Sequence, residues 1–513
     1  MSNQFKTGAV LSYVTIILSN VVGLIYTPIM LRMLGQSEYG LYSLVGSMIA
    51  TLSLIDLGFG NASIRYLSKH RALGDKDKEY NMIGMFMVIN TAICVLTIVA
   101  GYFIYQYALD GMFGRSLSGD EFTIFKVMFL LLVFNLAIGF PFSVFGSVMV
   151  SHERFVFAKV IGLIRTILNP IVILAVLYMG HKSLGMVIAN TVINVLFLWV
   201  NVYYCMKVLK IKVYFKQFDW KEMKEIFVYS GFTFLAIIVD KIYWTKDQMI
   251  LGSISGSAAV SVYAIAAQLN MYYMQLSTAI SGMFLPRVTS IVVKDSDEKG
   301  LSELFVRVGR IQYIILGLML SGLILFGKAF IVLWAGPAYS EAYIIALILI
   351  GPFTVPLIQN MGLIILQAQN RLAFRSIMYL IIALGNLAVS IPLAKAYGGI
   401  GCAIGTGASM IIGNIIIINI YYYKKIGLDI PAFWREIGKM TIPISAILLL
   451  GAGINLIAPG QAVWLLIVKI VLFMIIYCVI MYIAGMNAYE KGLIRSVGRI
   501  IVARKKKVAV HSH

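Results

Sequence analysis

Charged residues are scarce in this 513-residue chain. Asp, Glu, Lys and Arg together make up 12% of it, where a soluble globular protein carries roughly 25%. With 60% of the residues hydrophobic, that scarcity excludes a soluble fold, and with it disorder, a coiled coil and a collagen-like chain. Acids are the scarcer sign, 22 against 42 Lys and Arg, for a net charge of +20. The four cysteines, Cys94, Cys205, Cys402 and Cys478, lie far apart in apolar segments without a CxxC pair. They read as small core residues, not as a disulfide or metal framework. Five histidines (His70, His152, His181, His511, His513) show no ligand spacing, and no phosphate loop, nucleophile elbow or metal motif occurs. No enzyme chemistry and no bound metal or cofactor are expected. Only Lys6 precedes the first apolar run, which lacks a small-residue cleavage site, so that run is expected to stay as an uncleaved span.

What the chain has is apolar length. A bilayer-spanning helix takes roughly 20 apolar residues. Fourteen such segments can be marked out, from 9–31 to 462–485. They are too long for barrel strands, so an all-α polytopic membrane protein of about fourteen transmembrane helices is expected. The basic residues orient it. Thirty-two Lys and Arg fall on one set of connections and the termini, and only Arg32, Arg115, Lys182, Lys328 and Lys395 fall on the alternate set. The positive-inside rule then places both termini in the cytoplasm. It accounts for the net charge without nucleic acid. The tail from Lys491 through Arg495 and Arg499 to Lys507 spaces cations on one helical face, which suits anionic membrane lipids.

Two stretches 221 residues apart resemble each other. Met33–Tyr42 parallels Ile254–Tyr263, with Gly35 on Gly256, and Ser63–Ser68 parallels Leu285–Ser290. A second pair lies 217 apart: Glu153–Phe157 beside Asn370–Phe374, with Asn169 on Asn386 in the same register. Spans 1–6 and 7–12 therefore read as two copies of a six-helix unit. The expected domains are an N-terminal lobe (1–210), a C-terminal lobe (211–425), spans 13–14 (426–485) and a basic amphipathic tail (486–513). Such a repeat places a substrate path between the copies.

The stretch from Leu31 to Ser68 carries a signature: Leu34-Gly35-Gln-Ser-Glu38-Tyr39-Gly40-Leu41-Tyr42, then Asp56-Leu-Gly58-Phe-Gly60-Asn-Ala and Arg65-Tyr66. With the fourteen-span count, it resembles the polysaccharide flippases of the multidrug/oligosaccharidyl-lipid/polysaccharide exporter superfamily. The resemblance implies that an undecaprenyl-pyrophosphate-linked oligosaccharide is moved from the inner to the outer leaflet of a bacterial inner membrane. It implies two lobes alternating access, commonly driven by an ion gradient. Twelve-span relatives include multidrug antiporters, which stand as the alternative. A membrane glycan polymerase is disfavoured because the longest outer connection is only about 107–122. With no soluble partner-binding segment in view, a monomer is expected.

Charges within spans are the functional candidates, because each costs ~2.5–3.5 kcal/mol at the bilayer centre. They are Lys126, Arg165, Lys241, Lys246 and Lys469 against Asp56, Asp240 and Asp247, an excess that suits an anionic pyrophosphate head group. Span 7 concentrates them. At 100° per residue, Asp240, Trp244 and Asp247 share a face flanked by Lys241 and Gln248, while Lys246 points away. The expected cavity set is Lys241 for phosphate, Trp244 and Tyr243 for sugar stacking, Gln248, Arg165, and Asn20 from span 1. Asp240, Asp247 and Asp56 are the candidates for H+ or Na+ coupling. An Asp–Lys pair that merely neutralises itself between helices is the other reading, and for Asp56 an N-cap or inter-helix tie, with substrate contact also open. Arg65, Arg154, Arg287 and Arg371 at helix ends would guide phosphate at the cytoplasmic entrance, unless they only set topology. Lys126 and Lys469 are expected to snorkel to the outer face. Tyr272, Tyr273 and Gln275 either contact sugar or pack.

Overall fold

The computed structural model describes residues 2–216, 219–281, 298–369, 373–457 and 462–493, with 288, 291, 371 and 495; for some of these only the backbone is described. Among the described residues every regular element is a helix, as expected where no water is available to satisfy open backbone groups. The long helices are α1 (Ser2–Leu34), α2 (Gln36–Leu52), α3 (Phe59–Ala72), α4 (Lys76–Phe103), α5 (Gly119–Ser151), α6 (Phe155–Tyr178) and α7 (Ser183–Tyr203). They continue as α8 (Trp220–Ile254), α9 (Gly256–Ser281), α10 (Glu298–Trp334), α11 (Ala342–Ile358) and α12 (Asn360–Ala368). The last three are α13 (Ala373–Met410), α14 (Ile430–Ile457) and α15 (Val463–Ile480).

Among the described residues, ten stretches are long and apolar enough to cross a membrane, and the bent pair α11–α12 makes eleven. The stretch Phe374–Ile426 turns at Gly398, where φ is 55°, and so contributes two crossings. With α8 and α9, of 35 and 26 residues, the total is about fourteen. This is a multi-pass membrane protein. At ~1.5 Å per residue, α8 is about 50 Å long, well beyond the ~30 Å hydrocarbon core, so it protrudes or tilts.

Local sequence sets the boundaries. Ser118 and Glu121 form a reciprocal capping box at the start of α5. Asp75 accepts from the Lys78 N–H, and Asp219 accepts from those of Lys221 and Glu222, capping α4 and α8. Leu57 (φ 51°) and Gly58 (φ 77°) turn the chain into α3, and Gly35 and Gly256 both take φ 79° at their turns. The two glycines matched in the sequence repeat thus share one backbone conformation.

The chain forms two compact units, 1–268 with 374–409, and 269–373 with 410–513. The first has a core of Phe59, Tyr66, Phe86, Phe140, Phe145 and Cys205, contributed by α3, α4, α5 and the turn that follows α7. The second packs Phe326 of α10 against Met440, Ile447, Phe473 and Tyr477 of α14 and α15. Burying a residue of this size contributes about 1.5–3 kcal/mol in water, but between lipid-facing helices close packing does most of the work. All four cysteines are unbridged: Cys205 and Cys402 are buried, Cys94 is half-buried and Cys478 is exposed.

Candidate functional site

In the first unit, the end of α8 and both halves of α13 build a buried polar cage. The sequence there, Gly398-Gly-Ile-Gly401-Cys-Ala-Ile-Gly405-Thr406, removes side chains where two helical runs fold back on each other. A Cβ on Gly401 would lie 2.0 Å from the Leu393 carbonyl oxygen, and one on Gly405 would lie 2.6 Å from Ser390 Oγ. Only glycine permits that approach, and it brings Thr406 beside Asn386.

Lys246 and Asp247 of α8 enter this space, with side chains 6% and 5% exposed. Lys246 Nζ donates to Asp247 Oδ1 at 2.9 Å and to Thr406 Oγ1 at 3.1 Å. Asp247 Oδ2 accepts from Tyr263 OH of α9 at 2.6 Å and from Thr406 Oγ1 at 2.8 Å. With its carboxamide oxygen turned to the ammonium at 2.8 Å, Asn386 gives its nitrogen to Ser390 Oγ (2.7 Å) and the Gly405 carbonyl (3.3 Å). Adjacent helical residues diverge by 100°, which had Lys246 pointing away from Asp247. The four-carbon lysine stem closes that gap. Tyr263, Thr406, Asn386 and Ser390 were not among the sequence candidates, although Tyr263 and Asn386 are both repeat-matched positions.

Of the other candidates on α8, Gln248 is half-buried, and the side chains of Asp240, Lys241, Tyr243 and Trp244 lie outside the described residues. Asn20 is half-buried on α1. Arg165 of α6 is exposed, donating to Asn194 Oδ1 at 3.2 Å and lying 5.9 Å from the Phe197 ring centre. Asn194 in turn donates to Asn135 Oδ1 at 2.6 Å, so a polar row of α5, α7 and α6 positions the guanidinium. Asp56 is half-buried and closes the short turn before Leu57 and Gly58, after which α3 begins.

Among the arginines expected at an entrance, Arg65 is exposed with its guanidinium 4.5 Å over the Tyr229 ring. Arg154 is exposed at the start of α6, and Arg371 is exposed, donating to the Lys425 carbonyl at 3.1 Å. Arg287 and the tail beyond 495 lie outside the described residues. Lys126 does not simply snorkel: it pairs with Asp110 at 2.7 Å over the Phe122 ring. Lys469 departs further, being only 7% exposed, packed inside the protein. Tyr273 is buried, with its hydroxyl 2.8 Å from Thr354 Oγ1, which favours packing over sugar contact.

The signature stretch proves to be architectural. Glu38 accepts from the Ser183 hydroxyl and N–H at the start of α7. Tyr42 OH accepts from Asn190 at 3.3 Å. Gly40 lets the α8–α9 turn approach, since a Cβ there would sit 1.9 Å from the Ser257 carbonyl oxygen. Beside it, Glu121 accepts from the hydroxyls of Ser37 and Ser257. These are close-packing and capping roles that fix how α2, α5, α7 and α9 meet.

The sequence pattern of the family described as polysaccharide biosynthesis protein matches residues 5–292, more than half of the chain. The chain belongs to that family. A Shigella flexneri protein named for O-antigen transport is 22% identical over 402 residues, covering 76% of this chain and 91% of its own. A Haloferax volcanii protein, AglR, named for flippase activity, is 23% identical over 410 residues, 78% of this chain and 79% of its own. Among solved structures, the inward closed form of the lipid II flippase MurJ superposes with a TM-score of 0.73 at 16% identity, covering 94% of this chain and all of that one. An inward-facing multidrug resistance transporter of the MOP superfamily gives 0.62 at 13% identity, covering 78% and 92%. The resemblance to the polysaccharide flippase branch is borne out, and with it an all-α transporter fold and not an enzyme.

Proposed function

We propose that this family member flips an undecaprenyl-pyrophosphate-linked oligosaccharide from the inner to the outer leaflet of a bacterial inner membrane, with both termini cytoplasmic. The observation that carries the reading is the extent of the fold likeness. The lipid II flippase fold is matched over 94% of this chain, against 78% for the multidrug transporter. The excess of five cations over three acids within the spans supports an anionic cargo. In this reading the lobes at 1–210 and 211–425 alternate access, and Arg165, exposed on a span and held by Asn194, contacts the pyrophosphate.

Two expectations follow. Cells lacking the protein should accumulate the lipid-linked saccharide on the cytoplasmic leaflet, shielded from a glycosidase added outside spheroplasts. Saccharide equally open to the enzyme with and without the protein would sink the proposal. Arg165→Gln should lower translocation at least about tenfold, the equivalent of one charge-assisted hydrogen bond of roughly 1.5–3 kcal/mol, while the melting temperature stays unchanged. Unaltered translocation at matched membrane levels would remove Arg165 from the path.

A further inference from the structure

The cage around Lys246 has the chemistry of a cation site that already holds its cation. Three oxygens, Asp247 Oδ1, Thr406 Oγ1 and the Asn386 carboxamide oxygen, converge on the ammonium nitrogen at 2.9, 3.1 and 2.8 Å. They match the three N–H bonds that a lysine ammonium can donate. The second carboxylate oxygen is filled by Tyr263 and Thr406. One carboxylate and several neutral oxygens suit a single positive charge. A divalent ion would gather more carboxylate and sit at about 2.3–2.6 Å.

We infer that Lys246 is the resident cation of this oxygen cage, so that the protein keeps no exchangeable cation there, and that removing the ammonium makes the cage a binding site for a small monovalent cation. The physical reason is charge balance. Without Lys246, the Asp247 carboxylate would be buried in a span with only neutral hydrogen-bond partners among the described residues, a costly arrangement that a sodium or potassium ion relieves. The cage would persist, because Gly401 and Gly405 fix the approach of the two runs of α13 independently of Lys246. Asp247 then does not serve as a metal-cation ligand in the natural protein. The inference holds whatever cargo the protein carries, and its test reads binding, not transport.

The test is thermal unfolding of the full-length detergent-purified protein in sodium, potassium or choline chloride at equal ionic strength. The natural protein should melt at the same temperature in all three. Lys246→Met should melt lower in choline and rise by at least about 2 °C in sodium or potassium, as a ligand that binds only the folded state requires. Lys246→Met with Asp247→Asn should lose that response. Folded Lys246→Met obtained only in sodium or potassium would count in favour. Three results would overturn the inference: a sodium- or potassium-dependent rise in the natural protein that Asp247→Asn abolishes; a folded Lys246→Met that responds to neither ion; or failure of both Lys246→Met and Lys246→Gln to fold even with the ions present.

Discussion

Arg310→Ala should lower the melting temperature of the detergent-purified protein by about 3–5 °C. In the second unit, Arg310 of α10 is buried, with its side chain 5% exposed. Its Nε and Nη2 form a two-point pair with Glu490 at 2.7 and 2.9 Å, and Nη1 reaches Glu436 at 2.9 Å. Nη2 also donates to the Gly485 carbonyl at 3.0 Å. Glu490 itself accepts from the Asn487 N–H at 2.8 Å while its own N–H donates to Asn487 Oδ1 at 2.9 Å. One guanidinium therefore ties α10 to α14 and to the segment after α15. Removing the cation from a buried pair costs roughly 3–5 kcal/mol. A chain of this size loses roughly 1 °C per kcal/mol. Arg310→Met combined with Glu490→Gln leaves Glu436 as the remaining acid, only partly buried, and should recover most of the loss. A shift of less than about 2 °C for Arg310→Ala would mean that the triad does not hold the second unit together.

Gly40→Val is the second large effect. The Cβ it adds meets backbone, not a flexible side chain, so α2 must move away from the α8–α9 turn. Overpacking usually costs about 1–3 kcal/mol, and contact with a carbonyl belongs at or above the top of that range. Along the same seam Thr51 Oγ1 lies 3.1 Å from Thr245 Oγ1, and Gln268 donates to Thr27 Oγ1 at 2.9 Å. Neutral contacts of this kind are cheap to break and remake, as the alternating access proposed above requires, but they need α2 close by. Translocation by Gly40→Val should fall at least about tenfold, in line with a ~1.4 kcal/mol penalty or more on this arrangement. Gly46→Ala is the control. Nothing lies within 4 Å of its added Cβ, and replacing a helical glycine is neutral or stabilising by up to about 1 kcal/mol. Equal losses in both variants would trace the effect to the helix and not to the seam.

The fold class was legible because a bilayer leaves few alternatives, and apolar length is visible in any sequence. The turn match of Gly35 with Gly256 was legible for a similar reason, since a positive φ demands glycine. The cage was only half legible. Asp247 stood out as an intramembrane acid, but apart from Lys246 and Tyr263 the cage comes from about 140 to 160 residues away in α13, where Asn386, Ser390 and Thr406 look like ordinary polar helix residues. Helical-wheel geometry also misdirected Lys246, because it describes where a Cβ points and not where a long side chain ends. Arg310 was missed outright. It was counted among the basic residues of a connection, yet it belongs to the 37-residue helix α10, and its acids Glu436 and Glu490 are 126 and 180 residues distant. The signature glycines and Glu38 were read for kinship, and their physical work, packing and capping, became visible only with the helices in place.

The most direct test is leaflet translocation of a fluorescent undecaprenyl-pyrophosphate oligosaccharide in proteoliposomes, read by the fraction that a membrane-impermeant quencher can reach. Flipping well above protein-free vesicles, with no drug efflux from the same vesicles under an imposed ion gradient, is the predicted result. Drug efflux without any movement of the lipid-linked saccharide would contradict the account and assign the protein to the antiporters.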